Sequence, residues 1–394
     1  MPKFKFSFGL PKGKQVVLVD AFGINILRSY IPEDEIEIID IDRINAFAAL
    51  RMVVTGKKSL FDYTIAYLKL FKPKFAFTFL DNNIEFYKLA AIFPKTKFIA
   101  IQNGYRANYA NQIGSGFFDL LEKESAKNTL TATAVCVLGK TSGDQYSQYI
   151  QSRSIVTGSL KNNMIGSQIR PTERFDIVYV SQHAPFEIPS SEVRFYFGEQ
   201  SISASEFYAI EQKIVCFLAE RSIRLHQSFA VLGKRTDSSP FEREYFVSAA
   251  KPAPIHFIPR TSDVSTYEFC NSASLIVTAD STVGYEFLAR GNKVVFLSGR
   301  IKAVDNNLLG ESSDTDFGFP LELGESGPFW TNTANDSEFE HVIRSVQSMS
   351  DAQWASAISP YNDVLMAYQP GNSVFIQMLQ SEGVPTRNEG SHRA

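Results

Sequence analysis

The sequence predicts an α/β chain of two doubly wound domains, each a parallel sheet wrapped by helices, facing each other across a cleft. Three observations predict it. Short, continuously apolar runs alternate with longer helix-like stretches, and continuous rather than alternating runs suit parallel strands covered on both faces. The pattern breaks once, in a polar stretch holding Gly158, Ser159, Asn162, Asn163, Gly166 and Pro171, and then resumes. At roughly 100–200 residues per domain, 394 residues suffice for about two.

In the first half the expected strands are Val16–Val19, Ile36–Ile41, Phe75–Leu80, Phe98–Ile101, Ala134–Leu138 and Ile155–Thr157. Between them Leu60–Leu70 and Ile84–Ile92 read as helices, the second stopped at Phe93-Pro94. After the break come Ile177–Val180, Phe229–Leu232, Ile255–Ile258, Leu275–Thr278 and Val294–Leu297. The expected domains are therefore 1–165 and 170–355, followed by a helical segment 356–382 and a polar tail 383–394. The halves echo each other in architecture, with no internal sequence repeat.

Composition narrows the function. Against 39 Lys+Arg stand 42 Asp+Glu, a net charge of −3, which excludes a generally basic nucleic-acid binder. With 44% hydrophobic and 21% charged residues the chain is globular rather than disordered. The 33 Phe are spread along the chain and read as core. Cys136, Cys216 and Cys270 are scattered and form no CxxC, so a reducing compartment is expected. No apolar run reaches the roughly 18–20 residues that span a bilayer, and no signal-peptide pattern opens the chain. Lys3, Lys5, Lys12 and Lys14 precede the first acid, Asp20, and are interleaved with Phe4, Phe6 and Phe8. They read either as a solvated lead-in or as a contact with anionic lipid.

Open α/β sheets bind ligands at the carboxyl ends of their strands, so candidate residues are sought there. In Leu275–Gly291 a buried strand ends at Asp280, and Ser281 and Thr282 open a helix that Gly291 closes. Helix-start amides and two hydroxyls make a phosphate site, with Asp280 as part of it or simply as the N-cap. Glu286, one turn on, reads as a ribose acceptor or a surface acid. Lys234, Arg235 and Asp237 follow the strand Phe229–Leu232; two cations suit an anionic ligand and the carboxylate a nucleophile or base, unless the three form a salt-bridged loop. His256 is a core histidine or a donor. Ser181 and Gln182 form a turn able to offer donors. In the first half Gln102, Asn103 and Arg106 follow one strand end, and Asp81, a base or a cap, follows another.

The segments Phe317–Pro320 and Gly327–Asn332 read as a lid or a structural crossover. There is no HExxH, P-loop, GxGxxG after the first strand, or GxSxG elbow, and the Asp40/Asp42 pair is not read as a metal site.

Taken together, Asp280–Gly291 resembles the second-domain nucleotide site of GT-B glycosyltransferases. Ile-Gln-Asn-Gly-Tyr-Arg at 101–106, Val-Thr-Gly-Ser at 156–159, Tyr-Val-Ser-Gln at 179–182, Gly-Tyr-Glu-Phe-Leu-Ala-Arg-Gly at 284–291 and Gly-Pro-Phe-Trp-Thr-Asn at 327–332 resemble bacterial surface-carbohydrate biosynthesis proteins. Among these the chain is most similar to the CMP-sugar-dependent branch that includes the retaining β-Kdo transferases of O-antigen and capsule assembly. The resemblance implies a GT-B-like fold with an acceptor-side first domain and a nucleotide-sugar-binding second domain. It implies transfer of Kdo, or a related ulosonic acid, from a CMP-activated donor to a glycan or lipid-linked glycan, without cofactor or metal. Asp237 matches the carboxylate that forms a covalent glycosyl adduct. Lys234 or Arg235 would hold the sugar carboxylate or phosphate, and Ser181, Gln182, His256, Ser281 and Thr282 the CMP. The same fold also serves UDP-sugar transferases, sugar-nucleotide epimerases and non-catalytic glycan-assembly modules, which stay open as alternatives. A cytoplasmic position, peripheral at the inner face of the membrane and alongside partner transferase domains, is the corresponding expectation.

Overall fold

The computed structural model describes residues 5–9, 14–40, 43–105, 116–166, 173–183, 192–197, 200–234, 240–262, 264–299 and 323–387. It divides into two units. The first takes residues 1–104, 120–164 and 367–394, the second 105–119 and 165–366.

Each unit is built on the strands expected from apolar runs. In the first, six parallel strands lie in the order Ile36–Ile38, Val16–Leu18, Phe75–Thr78, Lys97–Ile101, Thr131–Val137, Gln151–Val156. Their central members are buried on both faces, which explains the continuous apolar runs. The helices expected at 60–70 and 84–92 are Leu60–Phe71 and Ile84–Ile92. Ser59 and Asp62 form a capping box on the former, and Asn83 caps the latter.

The helical segment expected at 356–382 is divided between the units. Helix Asp351–Ile358 packs in the second, where the Trp354 indole donates to the Gly291 carbonyl at 2.8 Å. Helix Ser373–Glu382 packs in the first, with Phe375, Met378 and Leu379 in one core with Leu18, Phe77 and Ile99. Each such side chain contributes about 1.5–3 kcal/mol on burial. A buried amide pair fixes this return. Asn372 donates to the Tyr30 hydroxyl at 2.6 Å and the Leu160 carbonyl at 2.8 Å, and accepts from Asn163 at 2.7 Å. Gly158, at φ +67°, leaves the room: a Cβ there would stand 2.0 Å from the Ala367 carbonyl oxygen.

The second unit carries seven strands in the order His256–Ile258, Phe229–Leu232, Ile177–Val180, Leu275–Thr278, Val294–Leu297, Trp330–Thr331, Ser326–Gly327. All pairs are parallel except the last. Gly327–Asn332 thus belongs to an antiparallel hairpin at the edge of this sheet. Trp330 is buried over Gly327, where no Cβ would fit, and its strand extends the sheet. Phe317–Pro320 lies outside the described residues.

Candidate functional site

The topology itself marks a site in the second unit. From Ile177–Val180 the chain moves outward to Phe229–Leu232 and His256–Ile258, then returns to the other side with Leu275–Thr278. The crevice beyond the carboxyl ends of Ile177–Val180 and Leu275–Thr278 is the switch point, where such sheets take nucleotides. Ser181 and Gln182 follow one of these strands, and Asp280, Ser281 and Thr282 the other.

Short-range bonds hold both turns. The Thr278 hydroxyl donates to the Val180 carbonyl at 3.1 Å and accepts from the Ser281 amide at 3.2 Å, which staples the two strand ends together. Ser281, not Asp280, is the N-cap of helix Thr282–Ala289. Gly284 lets this helix start settle on the sheet, since a Cβ would lie 2.6 Å from Thr278 Cγ2 and 3.0 Å from the Phe296 ring. The positive end of the helix therefore faces the crevice, as an anion requires. Tyr105 completes this corner: its amide donates to the Thr282 hydroxyl at 3.1 Å, and its ring stacks on Tyr285 at 3.8 Å.

Two buried carboxylates support the other side. Glu242 accepts from the Ser181 hydroxyl at 2.8 Å and from the Lys234 amide at 2.9 Å. Glu211 accepts from the Gln182 amide at 2.8 Å and the Tyr179 hydroxyl at 3.0 Å. A buried carboxylate is costly unless such donors reach it. Gly233 admits Glu242, since a Cβ there would lie 3.3 Å from its carboxylate. The exposed Lys234 ammonium reaches the Gln182 carbonyl at 3.4 Å. His183 stacks on Tyr245, and burial, with the Lys234 charge second, lowers its pKa to about 4. The imidazole is therefore neutral near pH 7.

The structure thus brings Ser181, Gln182, Lys234, Asp280, Ser281 and Thr282 to the ends of three adjacent strands. Arg106, Arg235 and Asp237 lie outside the described residues. His256 departs from both expectations. It is exposed, opens an edge strand at its amino end, and meets Phe175 edge-on at 5.4 Å, so it stands away from the carboxyl ends. Glu286 is not a surface acid: it is buried and accepts from the Tyr267 hydroxyl at 2.6 Å. Burial and this carboxylate raise the Tyr267 pKa well above its ordinary value.

In the first unit Gln102 is buried and structural, accepting from the Leu138 amide and donating to the Gly104 carbonyl, both at 2.9 Å. Asp81 is fully buried and accepts from the Tyr146 hydroxyl and from the Asn103 amide. It does not cap the following helix, which is capped by Asn83. Asn103 itself is exposed. Asp20, which no local motif marks, stands at this unit's own switch point, between Val16–Leu18 and Phe75–Thr78. Its carboxylate accepts from the Thr78 hydroxyl at 2.7 Å and the Phe22 amide at 2.8 Å, and burial raises its pKa.

Glu211, Glu242 and Tyr105 are further members of these sites that are not among the residues expected from the sequence. Glu211 had a signal: it sits at helical spacing on the stripe Ile214, Val215, Leu218, where an acid needs a buried partner. Among the described residues no three His, Cys, Asp or Glu side chains are placed to hold a metal ion.

Two doubly wound parallel sheets in one chain define the GT-B-like fold class, and solved structures agree. The UDP-GlcNAc 2-epimerase of Neisseria meningitidis, solved bound to UDP-GlcNAc, is 11% identical, with a TM-score of 0.51 over 94% of this chain and 100% of that one. The S. aureus MnaA–UDP structure is 11% identical, with a TM-score of 0.51 over 94% of this chain and 98% of that one. At such identity the likeness is one of fold. Residues 99–383, well over half the chain, match the family described as "putative O-antigen biosynthesis protein", and the chain belongs to that family. No curated protein matches it.

Proposed function

We propose that this protein is a glycosyltransferase of surface-glycan assembly that moves Kdo, or a related ulosonic acid, from a CMP-activated donor to a growing O-antigen or capsule glycan. Membership in an O-antigen biosynthesis family supports the setting. The observation that carries the reading is the second unit's switch point, where Ser181, Gln182, Lys234, Ser281 and Thr282 meet beside a helix start. Hydroxyls, a helix dipole and an ammonium there suit a nucleotide phosphate, and they stabilise a departing CMP without requiring metal. Asp280 completes the donor side of the reading, with Arg235 next to Lys234 in the sequence, while the buried Glu286, bonded to Tyr267, supports the helix. Gln102, Asn103, Arg106 and Asp81 stand on the acceptor side, where the buried Gln102 and Asp81 shape the loop rather than touch the acceptor.

In this reading the Asp237 carboxylate attacks the anomeric carbon as the bond to CMP breaks. An acceptor hydroxyl then displaces the carboxylate and gives up its proton, for net retention. The enzyme works in the cytoplasm at the inner membrane face.

The test is CMP release from CMP-Kdo with and without a glycan acceptor. Asp237→Asn is expected to lower release by a thousandfold or more while CMP affinity holds within a fewfold. Undiminished turnover in Asp237→Asn removes its role. Epimer formation from a UDP-sugar, with no CMP release, overturns the assignment.

A further inference from the structure

The first unit carries an apolar face that its core does not use. Helix Ala46–Val54 is capped by Asn45, whose side chain accepts from the Phe47 and Ala48 amides and donates to the Gly9 carbonyl at 2.8 Å. Only Ala48 of this helix is fully buried. Phe47, Leu50, Val53 and Val54 recur at helical spacing on the opposite side and are exposed, Leu50 by 62% and Val54 by 76%. This inverts the ordinary amphipathic arrangement, in which the apolar stripe faces the core. The strand Lys5–Ser7 pairs in parallel with Arg43–Asn45 and brings Phe8, 73% exposed, to the amino end of the helix. Leu60, exposed, follows at the other end.

Charge decides what covers this face. From Arg43 to Phe61 the cations are Arg43, Arg51, Lys57 and Lys58, with no acid between them. Arg51, Lys57 and Lys58 are exposed beside the apolar side chains, and Lys57 pairs with Asp62 at 3.7 Å, which leaves Arg51 and Lys58 as the further cations of the patch. A protein of net charge −3 has thus gathered cations around one apolar patch. A second copy of the chain fits poorly, because a two-fold interface would set these cations against themselves. Apolar side chains that enter the acyl boundary, ringed by cations at headgroup level, are the chemistry of an interfacial helix.

We propose that helix Ala46–Val54, with Phe8, Leu60 and the cations Arg51, Lys57 and Lys58, docks the first unit on an anionic phospholipid bilayer. The helix lies in the plane of the interface and does not cross it. The proposal holds whatever donor the second unit takes.

The test is co-sedimentation of the full chain with phosphatidylcholine vesicles and with vesicles of phosphatidylcholine mixed with phosphatidylglycerol. The wild type is expected to sediment with the mixed vesicles, less so at high salt, and not with phosphatidylcholine alone. The double variant Leu50→Glu, Val54→Glu is expected to abolish binding, its thermal midpoint holding because both side chains are exposed. Lys57→Gln with Lys58→Gln is expected to weaken binding by roughly fivefold per cation. Wild-type protein that ignores the mixed vesicles, or a Leu50→Glu, Val54→Glu variant that binds them equally well, overturns the proposal. So does a wild-type dimer that the same variant converts to monomer, since the face would then join two copies.

Discussion

Both units are doubly wound, with different strand orders, and they differ in what their switch points present. In the second, carboxylates sit beneath the surface: Glu211 and Glu242 accept from the amides of Gln182 and Lys234 and leave hydroxyls, a helix start and an ammonium toward the crevice. In the first, Asp20 stands at the switch point itself, and Asp81 is sealed beneath the next loop. Two doubly wound sheets therefore present hydroxyls, a helix start and an ammonium at one switch point and an acid at the other. The difference lies in which residues follow each strand, as expected when function resides in sites grafted on folds.

The sharpest way to break this comparison is to remove the buried carboxylate of each unit. Glu242→Ala leaves the Ser181 hydroxyl and the Lys234 amide without their acceptor and is expected to cost about 3–5 kcal/mol by urea unfolding. Asp81→Ala is expected to cost a similar amount. Only the Glu242 variant should also lose nucleotide affinity; equal loss in both would erase the distinction.

A second effect is pH dependence. His183 titrates near pH 4 when folded, against about 6.5 when unfolded. As pH falls the unfolded chain takes the proton first. The stability this group gives is complete above pH 6.5 and is lost as pH drops toward 4, by about 3 kcal/mol. His183→Phe should flatten that slope in unfolding curves taken between pH 7 and pH 4. Asp20, raised by burial, acts with the opposite sign.

The smallest expected effect comes from paired glycines. Gly284→Ala and Gly158→Ala each place a Cβ against packed atoms and should cost about 1–3 kcal/mol. Gly284→Ala alone should weaken nucleotide binding, by lifting the helix start from the crevice. Calorimetric titration of both variants checks this.

Much of the scaffold was legible because burial on both faces writes itself as apolar runs. Ile177–Val180, Phe229–Leu232, Leu275–Thr278 and Val294–Leu297 stand where those runs predict them. The turn at Ser281 and Thr282 was legible for the same local reason, a strand end followed directly by a helix start. What was not legible depends on distance in the chain. Glu242 meets Ser181 from 61 positions away, and nothing near either residue announces the bond. His256 misled because an apolar run does not tell an edge strand from a central one.

The second unit's switch point is proposed to hold a cytidine nucleotide. Thermal unfolding with equal concentrations of CMP, UDP, GDP and ADP tests it most directly, because a ligand bound only by the folded state raises the midpoint with its affinity. The largest rise is expected with CMP, reduced in Gly284→Ala and retained in Gly158→Ala. A larger rise with UDP, or no rise with any nucleotide at millimolar concentration, would contradict it.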